Sequence, residues 1–339
     1  MIFVLGVFGI FLFYTIFFTE DPYEKFLLLL PVFILSIYSG TRVNVGGYDY
    51  HVYKYFYELP FFQNPYGYEI FFVLFRDFFK FIGLNYNFFL LFLSFLFNFI
   101  IYKLFVYYSN YPTFSFLIYL ATFYYWHNFT IIRNFIAILI FWISLKYIIE
   151  RKFIPYILLI TLACFFHKTA IILYPFYFLL NYRFTKKSLS LLFMLSLIIN
   201  PLSFIIFKLN ISFLGLSERL NRYSHIIEHG NFYEFLELLI FVIVMLIFVK
   251  NNTSKENIII NLNIFALFIF IAFYRFAIIL RFLDFFRLGI FIGIPLLLSR
   301  IKNKYLKYLI FIFLCAYFTF KYYDTVTAYA IYNYKTWLI

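Results

Sequence analysis

Residues 86–107 read YNFFLLFLSFLFNFIIYKLFVY, an apolar run of 22 residues with one basic and no acidic side chain. A helix of about 20 apolar residues crosses the hydrocarbon core of a bilayer, so this run is typical of a transmembrane helix. The same character extends along the chain, in which 65% of the residues are hydrophobic, 13% are charged and the mean hydropathy is +0.91. A soluble domain cannot hide that much apolar surface. The sequence therefore predicts an integral membrane protein.

Similar apolar runs recur at short intervals and predict an all-α, polytopic protein with about 12 transmembrane helices in a single transmembrane domain, residues 1–339. The first run has no basic start and no small-residue cleavage site, so we interpret it as a span rather than a signal peptide. The candidate spans are 2–18, 26–41, 86–107, 113–127, 131–149, 154–166, 169–181, 188–207, 233–249, 257–274, 281–299 and 306–320.

The net charge of +13 would favour a nucleic-acid partner in a soluble protein. In a membrane protein, Lys and Arg gather in cytoplasmic loops instead, so we expect no nucleic-acid partner. The loops without that enrichment include two long ones, 42–85 and 208–232, which we place on the outer side. Within the first, an apolar stretch near 68–83 is interrupted by Arg76, Asp77 and Lys80, which predicts an interfacial helix rather than a span.

The outer loop after the second span begins with the first candidate site residues. Arg42 ends that span, and Asp49 follows the turn that Gly46 and Gly47 permit. One interpretation is an interfacial anchor and a surface acid. The other is a guanidinium that binds a phosphate beside a carboxylate that accepts a proton. Tyr48 could stack on a sugar, or it belongs to the aromatic belt at the membrane surface.

Two further candidates stand at breaks between apolar runs. Arg133 begins the span 131–149 and either snorkels to the surface or faces a neighbouring helix. His167 separates 154–166 from 169–181 and is either a packing residue or a base or phosphate ligand. Ionisable groups near membrane depth are functional by default, which favours the second interpretation of each.

The remaining candidates are basic clusters. In the loop 208–232, Arg219, Arg222 and His225 would share one face of a helix and could hold a diphosphate or simply face solvent. Arg281 stands with Asp284 and Arg287 at the start of a late span, where the acid could merely neutralise a neighbour.

Several familiar signatures are absent from the sequence, namely a Walker loop, a dinucleotide-binding glycine pattern, an Asp-x-Asp pair and zinc-ligand spacing. We therefore expect no cofactor and no metal. An arginine-rich outer surface on a membrane protein suits a lipid-linked diphosphate.

The residues that carry these candidates resemble those of a known family. Arg42-Val-Asn-Val-Gly-Gly-Tyr-Asp-Tyr, followed by Gly67-Tyr-Glu69-Ile-Phe, is similar to the opening of the EpsG/Wzy-type polysaccharide polymerases. Ile132-Arg133-Asn134-x-x-Ala137 and Phe166-His167-Lys168-Thr169-Ala170 resemble two more landmarks of that family. Arg281 ahead of Phe285 resembles a late one. The resemblance runs from about residue 38 to 290.

The resemblance implies an O-antigen or exopolysaccharide polymerase of the bacterial inner membrane, with the active site facing the periplasm and a fold like that of other lipid-donor glycosyltransferases. Its donor and acceptor would both be undecaprenyl-diphosphate-linked oligosaccharides. It would move the growing glycan to the non-reducing end of the next lipid-linked unit. A chain-length regulator and the flippase of the same pathway are the implied partners, besides membrane lipid.

The mechanism we expect is a metal-independent glycosyl transfer. Asp49 or His167 is the base that deprotonates the acceptor hydroxyl, and Arg133 stabilises the developing negative charge. The residues expected to bind the diphosphates or sugar are Arg42, Arg219, Arg222, His225, Arg281 and Tyr48.

Two alternatives remain. A lipid-linked oligosaccharide flippase would carry its charges deep within several spans, whereas here they lie mainly at span ends. A membrane acyltransferase that modifies surface glycans would pair an early His with an acid inside the membrane, and Asp49 with His51 matches that poorly.

Overall fold

A computed structural model describes residues 2–208, 230–249, 253–329, 331 and 334–337 of the protein. Every regular element within those ranges is a helix, which confirms the prediction of an all-α chain. The α-helices are α1 (Ile2–Phe18), α2 (Glu24–Leu27), α3 (Leu29–Gly40), α4 (Gly47–Glu58), α5 (Ile70–Phe81), α6 (Tyr86–Tyr108), α7 (Pro112–Thr122), α8 (Ile132–Ile149), α9 (Phe153–Phe166), α10 (Phe176–Leu179), α11 (Lys186–Lys208), α12 (Phe232–Phe248), α13 (Ser254–Ala272), α14 (Ala277–Leu280), α15 (Leu288–Ser299) and α16 (Lys304–Ala328).

Four of these helices, α6, α8, α13 and α16, are long and apolar enough to cross a membrane, and several others are apolar but shorter. The 12 predicted spans are therefore not confirmed within the described residues. Short turns of other helix types also occur within or between the apolar runs. A π-helix, Trp126–Thr130, separates α7 from α8, and 3-10 helices, Lys168–Leu173 and Arg281–Phe285, replace α-helix in two predicted spans.

The described chain divides into two compact units. The first contains Met1–Tyr174 and Ile294–Ile339, and the second contains Pro175–Gly293. The single transmembrane domain stays a prediction.

In the first unit, small and polar residues bring α3 and α6 together. Ser94 donates to the carbonyl of Ser36 at 2.8 Å, and the Asn98 amide donates to the Ser36 hydroxyl at 3.1 Å. Gly40 lies so close to α6 that a Cβ there would meet the Leu91 Cα at 2.7 Å. Small side chains of this kind let membrane helices approach closely. This packing holds the end of α3, at Gly40, against α6.

Helix α5 lies within 68–83, which confirms that this stretch is helical. The position of α5 relative to a membrane stays a prediction. Two of the three charges that argued against a span, Arg76 and Asp77, are buried. Arg76 donates to the carbonyls of Phe56 and Gln63, at 3.0 and 2.9 Å, and Asp77 accepts from the Phe62 N–H at 2.8 Å. Phe81 on the other face is 81% exposed. Arg76 and Asp77 therefore hold the loop between α4 and α5 and set the position of the residues before α5.

A late segment pairs with the chain just after α3. The Val43 N–H donates to the Lys335 carbonyl at 2.9 Å, and the Trp337 N–H donates to the Thr41 carbonyl at 3.0 Å. An isolated bridge joins Arg42 to Thr336. Residues 41–43 and 335–337 therefore lie on the same face of the first unit.

In the second unit, α13 packs against both α11 and α12. Asn261 of α13 donates to the carbonyls of Leu180 and Tyr182 at 2.8 and 2.7 Å. This amide satisfies backbone groups after α10, where helical hydrogen bonding stops.

Candidate functional site

The carboxylate of Glu69 joins three parts of the first unit. Its Oε2 accepts a hydrogen bond from the Arg133 guanidinium. Its Oε1 accepts from the Lys168 backbone N–H at 3.1 Å and lies 3.8 Å from Nδ1 of His167. We call Glu69, Arg133 and His167 the Glu69 cluster. Two residues that the sequence predicts to be catalytic, Arg133 and His167, are thus brought together by a third that it did not single out.

The backbone explains why these residues meet. Helices α8 and α9 form a hairpin that turns at Glu150–Lys152, so the first turn of α8 lies beside the last turn of α9. Arg133 stands in that first turn, and His167 follows that last turn with an extended backbone, φ −155° and ψ 107°. Glu69 is the residue just before α5. Because α5 packs on α9, with the rings of Phe71 and Phe165 stacked at 4.7 Å, Glu69 reaches the open end of the hairpin.

Tyr53 and Tyr68 lie on one side of Arg133, and we call them the tyrosine wall. The guanidinium of Arg133 lies 4.5 Å from the ring centroid of Tyr68, and the backbone N–H of Arg133 donates to the Tyr53 hydroxyl at 3.4 Å. Both tyrosines rest on a buried apolar group formed by Phe56, Phe72 and Val73. A cation above an aromatic face is attracted to it, so the wall holds Arg133 in one place.

The cluster is mostly enclosed but not sealed. The side chains of Arg133, Glu69 and His167 are 15%, 12% and 18% exposed. Burial raises the pKa of Glu69, but Arg133, the Lys168 N–H and His167 lower it, and the result lies below the ordinary value. Glu69 is therefore an ionised hydrogen-bond acceptor and not a proton store.

Asp49 stands in the first turn of α4, on the side of the tyrosine wall. Burial raises the pKa of Tyr53, Arg133 opposes that rise, and the negative charge of Asp49 adds to it. Burial also raises the pKa of Tyr68, and the charge of Asp49 adds a smaller part of that rise. A second carboxylate therefore contributes to the field beside Arg133.

Arg42 lies in a different environment and is only 2% exposed. It donates to the carbonyls of Ser39 and Asn128, at 2.6 and 3.0 Å, and stacks 4.3 Å above the ring of Phe129. Burial lowers its pKa, and the surrounding tyrosines oppose that shift. Gly46 is close by in the same loop, with φ +121°, and a Cβ there would lie 2.7 Å from the Phe129 carbonyl oxygen. Arg42 and Gly46 therefore fasten the loop after α3 to the π-helix, and binding of a diphosphate by Arg42 stays a prediction.

The other predicted residues are not brought into the Glu69 cluster by any described contact. Arg219, Arg222 and His225 lie outside the described residues. The backbone of Tyr48 belongs to α4, but its side chain is not described. Arg281 begins a 3-10 helix in the second unit. There, Arg287 donates to Glu234, and its Nε lies 3.9 Å from Asp284.

Glu69 and Tyr68 are the residues to which sequence reasoning gave no role. Glu69 does stand in the segment Gly67-Tyr-Glu69-Ile-Phe, which resembled the polymerase family. A lone carboxylate before an amphipathic helix otherwise carries no signal that separates it from a helix cap.

Comparison with known proteins gives one match. The model of the EpsG family matches residues 25–336, nearly the whole chain. Neither a curated protein nor a solved structure matches the chain significantly.

Proposed function

The chain belongs to the EpsG family, a Wzy-type polymerase-like family of membrane proteins, and from that premise we propose that it polymerises lipid-linked oligosaccharide repeat units. Donor and acceptor are both undecaprenyl-diphosphate-linked oligosaccharides of an O-antigen or exopolysaccharide. The growing glycan moves to the non-reducing end of the next lipid-linked unit. The reaction takes place at the periplasmic face of the bacterial inner membrane.

The observation that carries this proposal is the Glu69 cluster. A guanidinium, a carboxylate and an imidazole meet at one end of an apolar helical hairpin, each between 12% and 18% exposed. Ionisable groups in a membrane protein are costly and therefore mark functional sites. The planar guanidinium of Arg133 matches the geometry of a phosphate, and partial exclusion of water strengthens such a contact.

The chemistry needs few protein groups. A base removes the proton from the acceptor hydroxyl, and that oxygen bonds to the anomeric carbon of the donor sugar. The bond from that carbon to the diphosphate oxygen breaks, and the electron pair leaves with the lipid diphosphate. Asp49 or His167 supplies the base. Arg133 stabilises the charge on the leaving group, without a metal ion. Arg42, Arg219, Arg222, His225, Arg281 and Tyr48 are proposed to bind further diphosphate or sugar groups.

The proposed pathway partners are a chain-length regulator and the flippase that delivers the repeat units. The phenotype of a cell that lacks this protein distinguishes a polymerase from a flippase. Loss of a polymerase leaves single repeat units on the surface lipid, whereas loss of a flippase leaves none. Absence of single units in that cell would overturn the proposed function.

Complementation of that cell tests the site. Arg133→Ala should reach the membrane at a normal level but make no long polymer, because the diphosphate loses its guanidinium. Arg183→Ala is the matched control, since Arg183 is exposed in the loop after α10. Polymer of normal length from the Arg133 variant would remove the role given to the cluster.

A further inference from the structure

We propose that Glu69 is a positioning residue for the transfer reaction, which holds the imidazole of His167 as the base beside the Arg133 guanidinium. This inference rests on the proposed function and deepens it, because it chooses His167 over Asp49. The juxtaposition that points to it is one carboxylate whose two oxygens face different partners: Oε2 faces Arg133, and Oε1 faces Lys168 and His167.

The geometry assigns separate tasks to the two oxygens. Because Oε2 is held by Arg133 and Oε1 by the Lys168 N–H at 3.1 Å, the carboxylate cannot rotate away from the imidazole. Nδ1 of His167 then faces Oε1 across 3.8 Å, an ion-pair distance that is longer than a hydrogen bond. Catalytic contacts are often long without substrate and tighten when it binds. A diphosphate on Arg133 competes with Oε2 for the guanidinium and thereby frees negative charge for His167.

A carboxylate behind an imidazole changes what the imidazole can do. It fixes the orientation of the ring and stabilises the imidazolium that forms when the other nitrogen takes a proton. Here, the acceptor O–H bond breaks, and its proton goes to Nε2 of His167. The acceptor oxygen forms the bond to the anomeric carbon as the diphosphate departs. Glu69 stays ionised throughout, and the imidazolium later releases its proton to solvent.

Alternative roles fit the contacts less well. Glu69 is a poor base, since Arg133 and the Lys168 N–H both favour its charged form. As a helix cap, the Glu69 carboxylate would accept hydrogen bonds from the N–H groups at the start of α5, but it makes no such capping bond. Its described partners belong to α8 and to the break after α9.

The test uses the full-length protein in nanodiscs and, as substrate, the lipid-linked repeat unit extracted from cells that lack this protein. Glu69→Gln keeps the shape of the side chain and removes its charge. We expect kcat to fall on the order of 10²-fold, the usual contribution of a positioned proton-transfer group. Glu69→Asp should recover part of that loss. Glu58→Gln is the matched control, because Glu58 on α4 is 60% exposed and pairs with Lys54 of its own helix.

The pH profile separates positioning from a merely structural role. The charged and titratable groups near His167 include Glu69 and Lys168, with Arg133 bound to Glu69 and with Tyr53 and Asp49 on the far side of Arg133. Loss of the Glu69 charge makes the imidazolium less stable, so the acidic limb of kcat/KM should move to lower pH in Glu69→Gln. A purely structural loss would lower the whole profile without moving that limb, and this result would overturn the proposal.

A double-mutant cycle completes the test. Added to His167→Ala, Glu69→Gln should lower kcat much less than it does alone, because Glu69 acts through the imidazole. Equal losses in both backgrounds would overturn the proposal but leave the polymerase activity of the wild type intact. A wild-type protein that makes no product would instead overturn the proposed function. If Glu69→Gln is not monodisperse, the same double-mutant cycle is measured with Glu69→Asp in its place. Equal losses of kcat with and without His167→Ala would again overturn the proposal.

Discussion

The guanidinium of Arg133 lies above the ring of Tyr68, at 4.5 Å from its centroid, while it donates to Glu69. One face of the cation is therefore covered by an aromatic ring, and one edge is engaged by a carboxylate. This arrangement depends on the planar shape of arginine, which a lysine ammonium does not share.

Arg133→Lys should therefore polymerise much more slowly than the wild type. Lysine keeps the charge but loses the bidentate edge and the stacked plane, so we expect kcat/KM to fall by about 10- to 100-fold, or about 1.4–2.8 kcal/mol. The measurement is the rate of product formation with varied donor in nanodiscs. A lysine variant with wild-type kcat/KM would show that only the charge matters.

Arg42→Met should destabilise the first unit. The substitution leaves the carbonyls of Ser39 and Asn128 without their donors in a site that is 2% exposed. Each buried polar group without a partner costs about 1–3 kcal/mol, so a loss of roughly 2–6 kcal/mol is expected for the two carbonyls. Unfolding in mixed detergent micelles measures it. An unchanged unfolding free energy would mean that water replaces the guanidinium at both carbonyls.

Gly46→Ala should be more harmful than Gly83→Ala. Both glycines have positive φ, +121° and +79°, so both variants carry backbone strain of about 1–3 kcal/mol. Only at Gly46 would the new Cβ collide with backbone, at 2.7 Å from the Phe129 carbonyl oxygen, whereas nothing lies within 4 Å at Gly83. Thermal unfolding of the two variants gives the comparison. Equal melting temperatures would contradict the close approach of the loop to the π-helix.

Gly40→Leu should separate α3 from α6, since a Cβ at Gly40 would meet the Leu91 Cα at 2.7 Å. Gly9→Leu adds the same side chain to α1, where no atom lies within 4 Å of the new Cβ. We expect the first variant to be poorly expressed and the second to resemble the wild type. Size-exclusion profiles after detergent extraction distinguish them.

The ion pair of Glu69 should make stability depend on pH. In the folded protein its pKa lies below the ordinary value of 4.5 for a glutamate, because Arg133, the Lys168 N–H and His167 outweigh the effect of burial, so the stabilisation is fully present above about pH 4.5. It is lost as the pH falls through the folded pKa, because the carboxyl must then be protonated. Melting temperatures between pH 6 and pH 3 should fall more steeply for the wild type than for Glu69→Gln. Parallel curves would show that Glu69 contributes nothing to this dependence.

The sequence predicts the helices themselves better than their interruptions. The runs 86–107 and 131–149 correspond closely to α6 and α8. In lipid, a single long apolar segment can satisfy its backbone hydrogen bonds internally only as a helix. The break at His167 was also predicted. The π-helix at Trp126–Thr130 was not, since apolar content is the same on both sides of it and only tertiary packing selects the turn.

Part of the candidate site was predictable and part was not. Arg133 and His167 stood out because ionisable groups are rare in so apolar a chain. Glu69 did not, since its role depends on three segments that are distant in sequence and meet only in the folded hairpin. Arg76 and Asp77 were interpreted as a polar interruption of an interfacial helix, but they are buried because the loop before α5 offers carbonyl and N–H partners.

The pairing of residues 41–43 with 335–337 has a consequence for biosynthesis. Residues 41–43 leave the ribosome well before residues 335–337 do. Until residues 335–337 have been synthesised, the Val43 N–H and the Thr41 carbonyl lack the partners that they have in the folded protein. The bridge therefore cannot close before Thr336 has left the ribosome, and a chain truncated before Lys335 keeps the loop after α3 without this latch.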